Sequence, residues 1–245
     1  MHFIFSMTVS ESKRLIAKGV VQLDYVKRAL DQGILAIGPG STNGYVIEEI
    51  TGEALDKASF VAGRTLPHGY DGPKMSYTRP DLVMKQGKRL NVTGRDILNE
   101  MGPGDVYVKG ANAINYDLKQ TGVLIGDPTG GGVGFTLGPV VARRIRYLHP
   151  VGLEKNMSAD LDEVADSLNR DKEGRGPTLW VVPGDIFTEI EALEVLAGVE
   201  AHQIAAGGIG GAEGAVWLAV HGTRQQLDRA KEVIGAVRGE PPFAG

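Results

Sequence analysis

Residues 34–44 read Ile34-Leu35-Ala36-Ile37-Gly38-Pro39-Gly40-Ser41-Thr42-Asn43-Gly44 and decide the fold class of this 245-residue chain. The four apolar residues at the start are typical of a short strand buried on both faces of a parallel sheet. Helical spacing of apolar residues resumes at Tyr45 and continues to Ile50. The stretch therefore predicts a strand, a glycine turn and a helix in direct succession.

The glycine turn is a candidate anion-binding site. Where a parallel strand leads into a helix, free backbone N–H groups and the helix dipole converge, and glycine lets an anion approach the backbone closely. The predicted ligand-binding residues here are Gly38, Gly40, Ser41, Thr42 and Asn43. The alternative is a tight turn in which Ser41 is only the N-cap. The turn is not a dinucleotide fingerprint, because position 43 is not glycine, and it lacks the Gly-Lys-Ser/Thr of a Walker A loop.

The α/β pattern continues along the chain. Buried strands are predicted at residues 106–110 and 123–126, a helix follows from about 136 to 144, and a strand at 145–148. Strands are also expected around Phe60 and Leu82. Residues 1–7 predict a strand or an ordered tail, with Ser10 as N-cap of the next helix. Together these elements predict a mostly parallel Rossmann-like sheet flanked by helices.

The carboxy-terminal part has a different pattern. Residues 169–177 are polar, with two glycines and a proline, and form the best linker candidate. Beyond them the order strand (179–182), helix, two strands and helix is similar to a ferredoxin-like α+β unit. We therefore expect two domains, at residues 1–172 and 177–245, the second serving as a clamp or an oligomerisation surface. The glycine-rich segment 207–214 is expected to be a hairpin loop.

Composition excludes several function classes. The formal charge of −4 offers no basic surface for nucleic acid. No apolar stretch is long enough for a membrane-spanning helix, and the absence of cysteine removes disulfides, thiolate metal sites and cysteine nucleophiles. The five histidines show no metal-binding spacing, so neither a metal nor a cofactor is predicted. The expected protein is cytoplasmic and homo-oligomeric, with an anionic small molecule as its partner.

Lys109 and Asp127 are the candidate catalytic residues. Each lies at the carboxyl end of a predicted parallel strand, where open α/β sheets bind ligands. Lys109 could clamp an anion or act as an electrophile, and Asp127 could act as a base. The alternative for Lys109 is a strand-end lysine that extends to solvent. The alternative for Asp127 is a residue that forms a turn before Pro128. The remaining predicted ligand-binding residues follow these two strands: Gly110, Ala111, Asn112, Thr129, Gly130 and Gly131.

Several segments resemble one superfamily. The Gly38-Pro-Gly-Ser-Thr42 turn and its flanking elements look like the amino-terminal unit of type A ribose-5-phosphate isomerases, whose corresponding turn holds the sugar phosphate. Residues 105–113 are similar to the lysine strand of those isomerases and to a strand end of initiation factor two-B-like proteins. Residues 146–155, and above all residues 150–155, resemble the lactate-utilisation proteins. The resemblance, over about residues 10–168, implies the fold shared with glucosamine-6-phosphate deaminases and CoA-transferases.

The departures from these families narrow the expected activity. The acidic segment that precedes the lysine strand in the isomerases is replaced here by residues 99–105, and residues 113–117 replace the segment that supplies their general base. Proton transfer between sugar carbons needs such a carboxylate, so a true ribose-5-phosphate isomerase is disfavoured. We expect binding of a phosphorylated sugar or similar anion, with acid–base isomerisation or hydrolysis. The alternative is a non-catalytic ligand-sensing or assembly protein.

Overall fold

The computed structural model describes residues 1–66, 68–69 and 81–243, and it has an α/β fold. The strands are β1 (His2–Met7), β2 (Ile34–Ile37), β3 (Leu82–Lys85), β4 (Lys88–Leu90), β5 (Val106–Val108), β6 (Ala113–Asn115), β7 (Gln120–Ile125), β8 (Arg146–Pro150), β9 (Thr178–Val182), β10 (Asp185–Phe187), β11 (Glu200–Ala206) and β12 (Val216–His221). The helices are α1 (Val9–Val20), α2 (Asp24–Gln32), α3 (Ser41–Thr51), α4 (Gly94–Ile97), α5 (Gly131–Ala142), α6 (Leu161–Arg170), α7 (Glu189–Ala197) and α8 (Arg224–Gly235).

A six-stranded sheet with the order β10-β8-β5-β2-β3-β4 forms the centre of the fold. Strands β10, β8, β5 and β2 are mutually parallel. Strand β3 is antiparallel to β2, and β4 is antiparallel to β3. The α/β prediction is confirmed, and the prediction of a mostly parallel sheet is confirmed in part. Because Ile37 pairs with Val108 in parallel register, β2 and β5 end side by side at one edge of the sheet.

Helices cover both faces of this sheet. The side chains of Leu35, Ile37 and Val108 belong to the larger core, which includes residues of α1, α3 and α7. On the other face, Ala36 and Tyr107 pack with residues of α4 and α5. All four residues of β2 are buried, as its continuous apolar run predicts. Full burial of each large aliphatic side chain is worth about 1.5–3 kcal/mol, so this strand anchors the centre of the fold.

The strand predicted at residues 123–126 is not part of the central sheet. It is β7, which is antiparallel to both β6 and β9 in a separate three-stranded sheet. Only residues 116–119 separate β6 from β7, and so short a connection can join antiparallel neighbours but not parallel ones. One side of the strand also faces outward, since Leu124 is 42% exposed. A short apolar run does not reveal its partner, which explains the incorrect prediction.

Strand pairing also crosses the boundary expected between residues 172 and 177. The strand predicted to open the carboxy-terminal unit is β9, which pairs with β7, and β10 joins the central sheet beside β8. The third sheet consists of β11 and β12 together with β1 from the amino terminus. Six consecutive pairs, from His2 with His221 to Met7 with Val216, hold β1 in place. The ends of the chain therefore fold together.

Three local predictions are settled by the same elements. Residues 57–60 form a 3₁₀ turn rather than the strand expected around Phe60, whereas the strand expected at Leu82 is β3. Thr8, not Ser10, caps α1, because Glu11 lies three residues after Thr8 and completes a capping box. The glycine-rich segment 207–214 connects β11 to β12 as a hairpin loop, as expected. No helix in the described ranges is long and apolar enough to cross a membrane.

Candidate functional site

A cleft of about 1200 Å³ opens at the edge of the central sheet where β2 and β5 end. Residues that follow β2, β5 and β7 line it, together with the beginning of α5. Most of the predicted ligand-binding residues meet here. The predicted residues in its lining are Gly40, Ser41, Thr42, Lys109, Gly110, Ala111, Asn112, Asp127, Thr129, Gly130 and Gly131.

The amino terminus of α3 forms one wall of the cleft. Gly40 is the N-cap and Ser41 is the first helical residue, so the alternative that Ser41 caps the helix is wrong. The turn is held by the Gly40 N–H, which donates to the Phe60 carbonyl at 3.0 Å. Within the described ranges no acceptor receives the N–H groups of Ser41, Thr42 or Asn43. A helix that begins without a side-chain cap leaves these donors and the positive dipole end available to an anion.

Gly38 and Asn43 lie behind the cleft rather than in its lining. The Gly38 N–H donates to the Val108 carbonyl at 3.0 Å, which continues the pairing of β2 with β5. The fully buried Asn43 side chain donates from Nδ2 to the Gly38 carbonyl at 2.8 Å. These two residues fix the shape of the turn. Neither residue lines the cleft, so the structure does not place them in the predicted contact with a ligand.

Lys109 follows β5 and extends towards the beginning of α5. Its backbone N–H donates to the Leu148 carbonyl, and its own carbonyl lies 2.8 Å from Nδ1 of the buried His149. The Cε atom of Lys109 would lie 3.4 Å from a Cβ at Gly132, so the side chain passes directly over the first turn of α5. Burial lowers the pKa of Lys109, and the nearby Lys155 acts in the same direction while Asp81 opposes both.

The beginning of α5 forms the opposite wall of the cleft. The helix starts at Gly131, earlier than the predicted start near residue 136, and its N-cap Gly130 has a φ of 84°. A Cβ at Gly134 would collide with the Thr129 carbonyl, so glycine is required where the loop crosses the helix. As at α3, the N-cap makes no side-chain hydrogen bond. Two helix amino termini therefore face the same space.

Asp127 has surroundings that make it a poor base. It is exposed, and its Oδ1 accepts hydrogen bonds from the Thr129 N–H at 2.8 Å and the Thr129 hydroxyl at 2.6 Å. These hydrogen bonds lower the pKa of Asp127, and a carboxylate stabilised in its ionised form has little tendency to take up a proton. The geometry matches the turn-forming alternative. The expected location at the end of a parallel strand is wrong, because β7 is antiparallel to both of its neighbours.

Asp81 is a lining residue that the sequence analysis missed. Its Oδ2 accepts a hydrogen bond of 2.6 Å from the Gly94 N–H, and burial raises the pKa of its carboxyl group while Lys109 has an opposing effect. A Cβ at Gly94 would collide with both Asp81 Oδ2 and the Tyr107 hydroxyl, so glycine is required there. Asp81 directly precedes the antiparallel strand β3, and no sequence pattern marks such a residue as part of a site.

Three further cations face the cleft. Lys155 donates to the Ala111 carbonyl at 2.8 Å, and the Arg95 guanidinium stacks over the Phe135 ring at 4.9 Å. Arg64 also contributes to the lining. With Lys109 there are four basic side chains against two carboxylates, Asp81 and Asp127, in the described lining. The excess of positive charge complements an anion.

Comparisons with known proteins give no family assignment: no family model matches the chain, and no curated protein or solved structure matches it significantly. Among the described residues, no group of three or more His, Cys, Asp or Glu side chains is arranged to hold a metal ion.

Proposed function

We propose that this protein binds a phosphorylated sugar or a similar anionic small metabolite in the cleft and catalyses its acid–base isomerisation or hydrolysis. The observation that carries the proposal is the convergence of two helix amino termini, each with a glycine N-cap, with Lys109. Each helix amino terminus is equivalent to roughly half a positive charge. Free N–H donors and a cation around one space are the usual protein environment of a phosphate group.

The size of the cleft supports a metabolite rather than a single small ion. Its volume of about 1200 Å³ is slightly above the range of roughly 300–1,000 Å³ that is usual for small-molecule sites. The lining also includes Tyr107, Val123 and Val133 beside the basic groups. Such a mixture suits a ligand with a charged end and a less polar body. A phosphorylated sugar has this character.

Asp81 and Lys109 supply the chemistry of the proposed reaction. Because burial raises the pKa of Asp81, its carboxylate is a better proton acceptor than Asp127. Lys109 lies close enough to act on Asp81 electrostatically. Its ammonium group can stabilise negative charge that develops on a carbonyl or phosphate oxygen. Asp81 therefore takes the role of base that the sequence suggested for Asp127.

The proposal extends the resemblance to the phosphosugar isomerase and CoA-transferase-like superfamily to the Rossmann-like central sheet. The ferredoxin-like carboxy-terminal unit is not part of it, because β9 and β10 pair outside the sheet of β11 and β12. The parallel arrangement of β2, β5, β8 and β10 and the position of the cleft at the carboxyl ends of β2 and β5 support the proposal. We also propose a cytoplasmic homo-oligomer. Sedimentation at working concentration tests the assembly, and a strictly monomeric profile would contradict it.

A thermal-shift panel of sugar phosphates, nucleotides and CoA esters tests ligand binding. A ligand at 100 times its Kd adds about 2.7 kcal/mol of stability, which is roughly 5–10 °C in Tm for a protein of this size. We expect sugar phosphates to give such a shift and their unphosphorylated forms to give none. If no anionic compound stabilises the protein, the proposal is wrong.

A non-catalytic ligand-sensing protein is the second candidate. It is favoured by the scarcity of acid–base groups, since Asp81 is the single buried carboxylate in the described lining. Turnover of the ligands that bind distinguishes the two functions. For an enzyme, Asp81→Asn abolishes turnover and retains binding, while Asp127→Asn changes neither. Binding without turnover of any compound in the panel would identify the sensor.

A further inference from the structure

We propose that Lys109 forms a Schiff base with the carbonyl group of its ligand, so that the ligand is an anionic aldehyde or ketone. This inference rests on the proposed function, because the anion-binding walls of the cleft are what would bring the carbonyl carbon to the amine. It adds two things to that function: a covalent intermediate and the requirement for a carbonyl group.

The Lys109 amine makes no hydrogen bond or ion pair with the residues that the structure describes. Across residues 1–66, 68–69 and 81–243, no acceptor lies within hydrogen-bond or ion-pair distance of its Nζ atom. Lys155, the other lysine of the lining, donates to the Ala111 carbonyl at 2.8 Å, and the half-buried Lys85 forms an ion pair with Glu100 at 2.7 Å. An amine without a fixed partner is free to approach a carbon atom, and it has a lone pair for attack once it has lost its proton.

The surroundings of Lys109 favour the neutral, nucleophilic amine. The aliphatic part of its side chain passes over Gly132, which has no side chain to block the approach of a ligand. Burial and the neighbouring Lys155 lower the pKa of Lys109. A desolvated lysine beside a second cation is a known arrangement for activating an amine towards carbonyl compounds.

Asp81 can transfer the protons that imine formation requires. A water molecule first relays a proton from the Lys109 ammonium to the Asp81 carboxylate, because the two groups interact electrostatically but are not in hydrogen-bond contact. The freed Nζ lone pair then attacks the carbonyl carbon to give a carbinolamine. The carboxylic acid of Asp81 then protonates the carbinolamine hydroxyl, the carbon–oxygen bond breaks, and water leaves. The products are a protonated imine, one water molecule and the Asp81 carboxylate. The positive imine withdraws electrons from the neighbouring carbon, which makes its proton easier to remove in an isomerisation.

Borohydride trapping tests this inference on the full-length protein. The protein is incubated separately with glyceraldehyde 3-phosphate, dihydroxyacetone phosphate, ribose 5-phosphate and neutral glyceraldehyde, and each mixture is then treated with sodium borohydride. Hydride reduces the imine to a stable secondary amine, which peptide mass spectrometry locates. We expect an adduct at Lys109 with at least one phosphorylated carbonyl compound, and its loss in Lys109→Arg. The matched control, Lys85→Arg, keeps the Lys109 adduct.

Each outcome has a defined meaning. An adduct concentrated at Lys109 of the wild-type protein, and suppressed by excess inorganic phosphate, supports the Schiff base and the anion site together. Adducts spread evenly over surface lysines overturn the inference, as does equal labelling of Lys109 by glyceraldehyde and its phosphate. If the phosphorylated compounds stabilise the protein in the thermal-shift panel but leave Lys109 unlabelled, the Schiff base is wrong and the proposed function is unaffected. Absence of both effects refutes both proposals.

Discussion

Replacement of the buried Glu189 by glutamine should make the protein less sensitive to rising pH. Glu189 is the first residue of α7 and is fully buried; its Oε2 accepts a hydrogen bond of 3.0 Å from the Leu153 N–H. Its Oε1 and the Oε2 of Glu154 are buried without hydrogen-bond partners in the described part of the chain. Burial, reinforced by the negative charge of Glu154, raises the pKa of Glu189 from 4.5 to about 8.

The sign of the effect follows from this raised pKa. Between pH 4.5 and about 8 the unfolded chain releases the Glu189 proton and the folded protein keeps it, so stability falls as pH rises. At about 1.4 kcal/mol per pKa unit, the loss is roughly 3 kcal/mol by pH 7 and about 5 kcal/mol over the whole window. The Glu189→Gln variant retains an acceptor for Leu153 and has no proton to release. Its advantage over wild type should therefore be near zero at pH 4.5 and about 3 kcal/mol at pH 7.

Urea unfolding of both proteins at several pH values between 4.5 and 8 measures this difference. The matched control is Glu194→Gln, on the exposed side of the same helix, which should follow the wild-type curve. At pH 7 the expected gain in Tm for Glu189→Gln is roughly 6–12 °C. Parallel stability curves for Glu189→Gln and wild type would show that Glu189 titrates alike in the folded and unfolded chain. That result would refute the reasoning.

Three further predictions concern the cleft and its support. Gly134→Ala should lower the free energy of unfolding in urea by about 1–3 kcal/mol, because the new Cβ meets the Thr129 carbonyl. The control Gly235→Ala, with open space around the new Cβ, should leave it unchanged. Equal losses of stability in the two variants would show that the collision at Gly134 is not the cause. Lys109→Met should weaken the binding of a phosphorylated ligand roughly 10–100-fold in calorimetry. It should not lower the Tm of the unliganded protein, because it removes a half-buried cation that has no partner among the described residues. Unchanged affinity would exclude Lys109 from the site. Arg14→Met should lower the free energy of unfolding by about 1–3 kcal/mol, because the half-buried Arg14 guanidinium pairs with three carboxylates. A loss that vanishes in high salt would instead indicate a solvent-exposed interaction.

Local structure was predictable from the sequence wherever one segment determined it. The apolar run 34–37 and the glycines after it specify β2, its turn and α3 without reference to the rest of the chain. The residues of a strand do not specify which other strand it pairs with. Residues 123–125 are as apolar as β2, yet they pair with β6 and β9, and β1 pairs with β12 more than 200 residues away. Such pairings depend on packing between distant segments, which a periodic pattern does not encode.

The same distinction explains the outcome for the candidate site. Gly40 and Lys109 line one cleft because β2 and β5 are parallel neighbours, and the carboxyl ends of such strands share an edge. Asp127 was assigned by the same rule, but the rule does not apply to the antiparallel β7. The Thr129 hydrogen bonds that hold Asp127 in its ionised form were also not visible in the sequence, although the pair Asp127 and Thr129 is a common turn pattern.

The position of Asp81 follows from the antiparallel part of the mixed sheet. In an antiparallel pair one strand begins where the other ends, and Leu82 at the start of β3 pairs with Ile37 at the end of β2. The residue before β3 therefore reaches the same edge as the residues after β2 and β5. A purely parallel sheet would direct that position to the opposite edge, away from Lys109. The antiparallel strand β3, which departs from the expected sheet, thus supplies the buried carboxylate that the expected active site lacked. This carboxylate acts electrostatically on Lys109, the one lysine of the lining whose amine has no partner among the described residues.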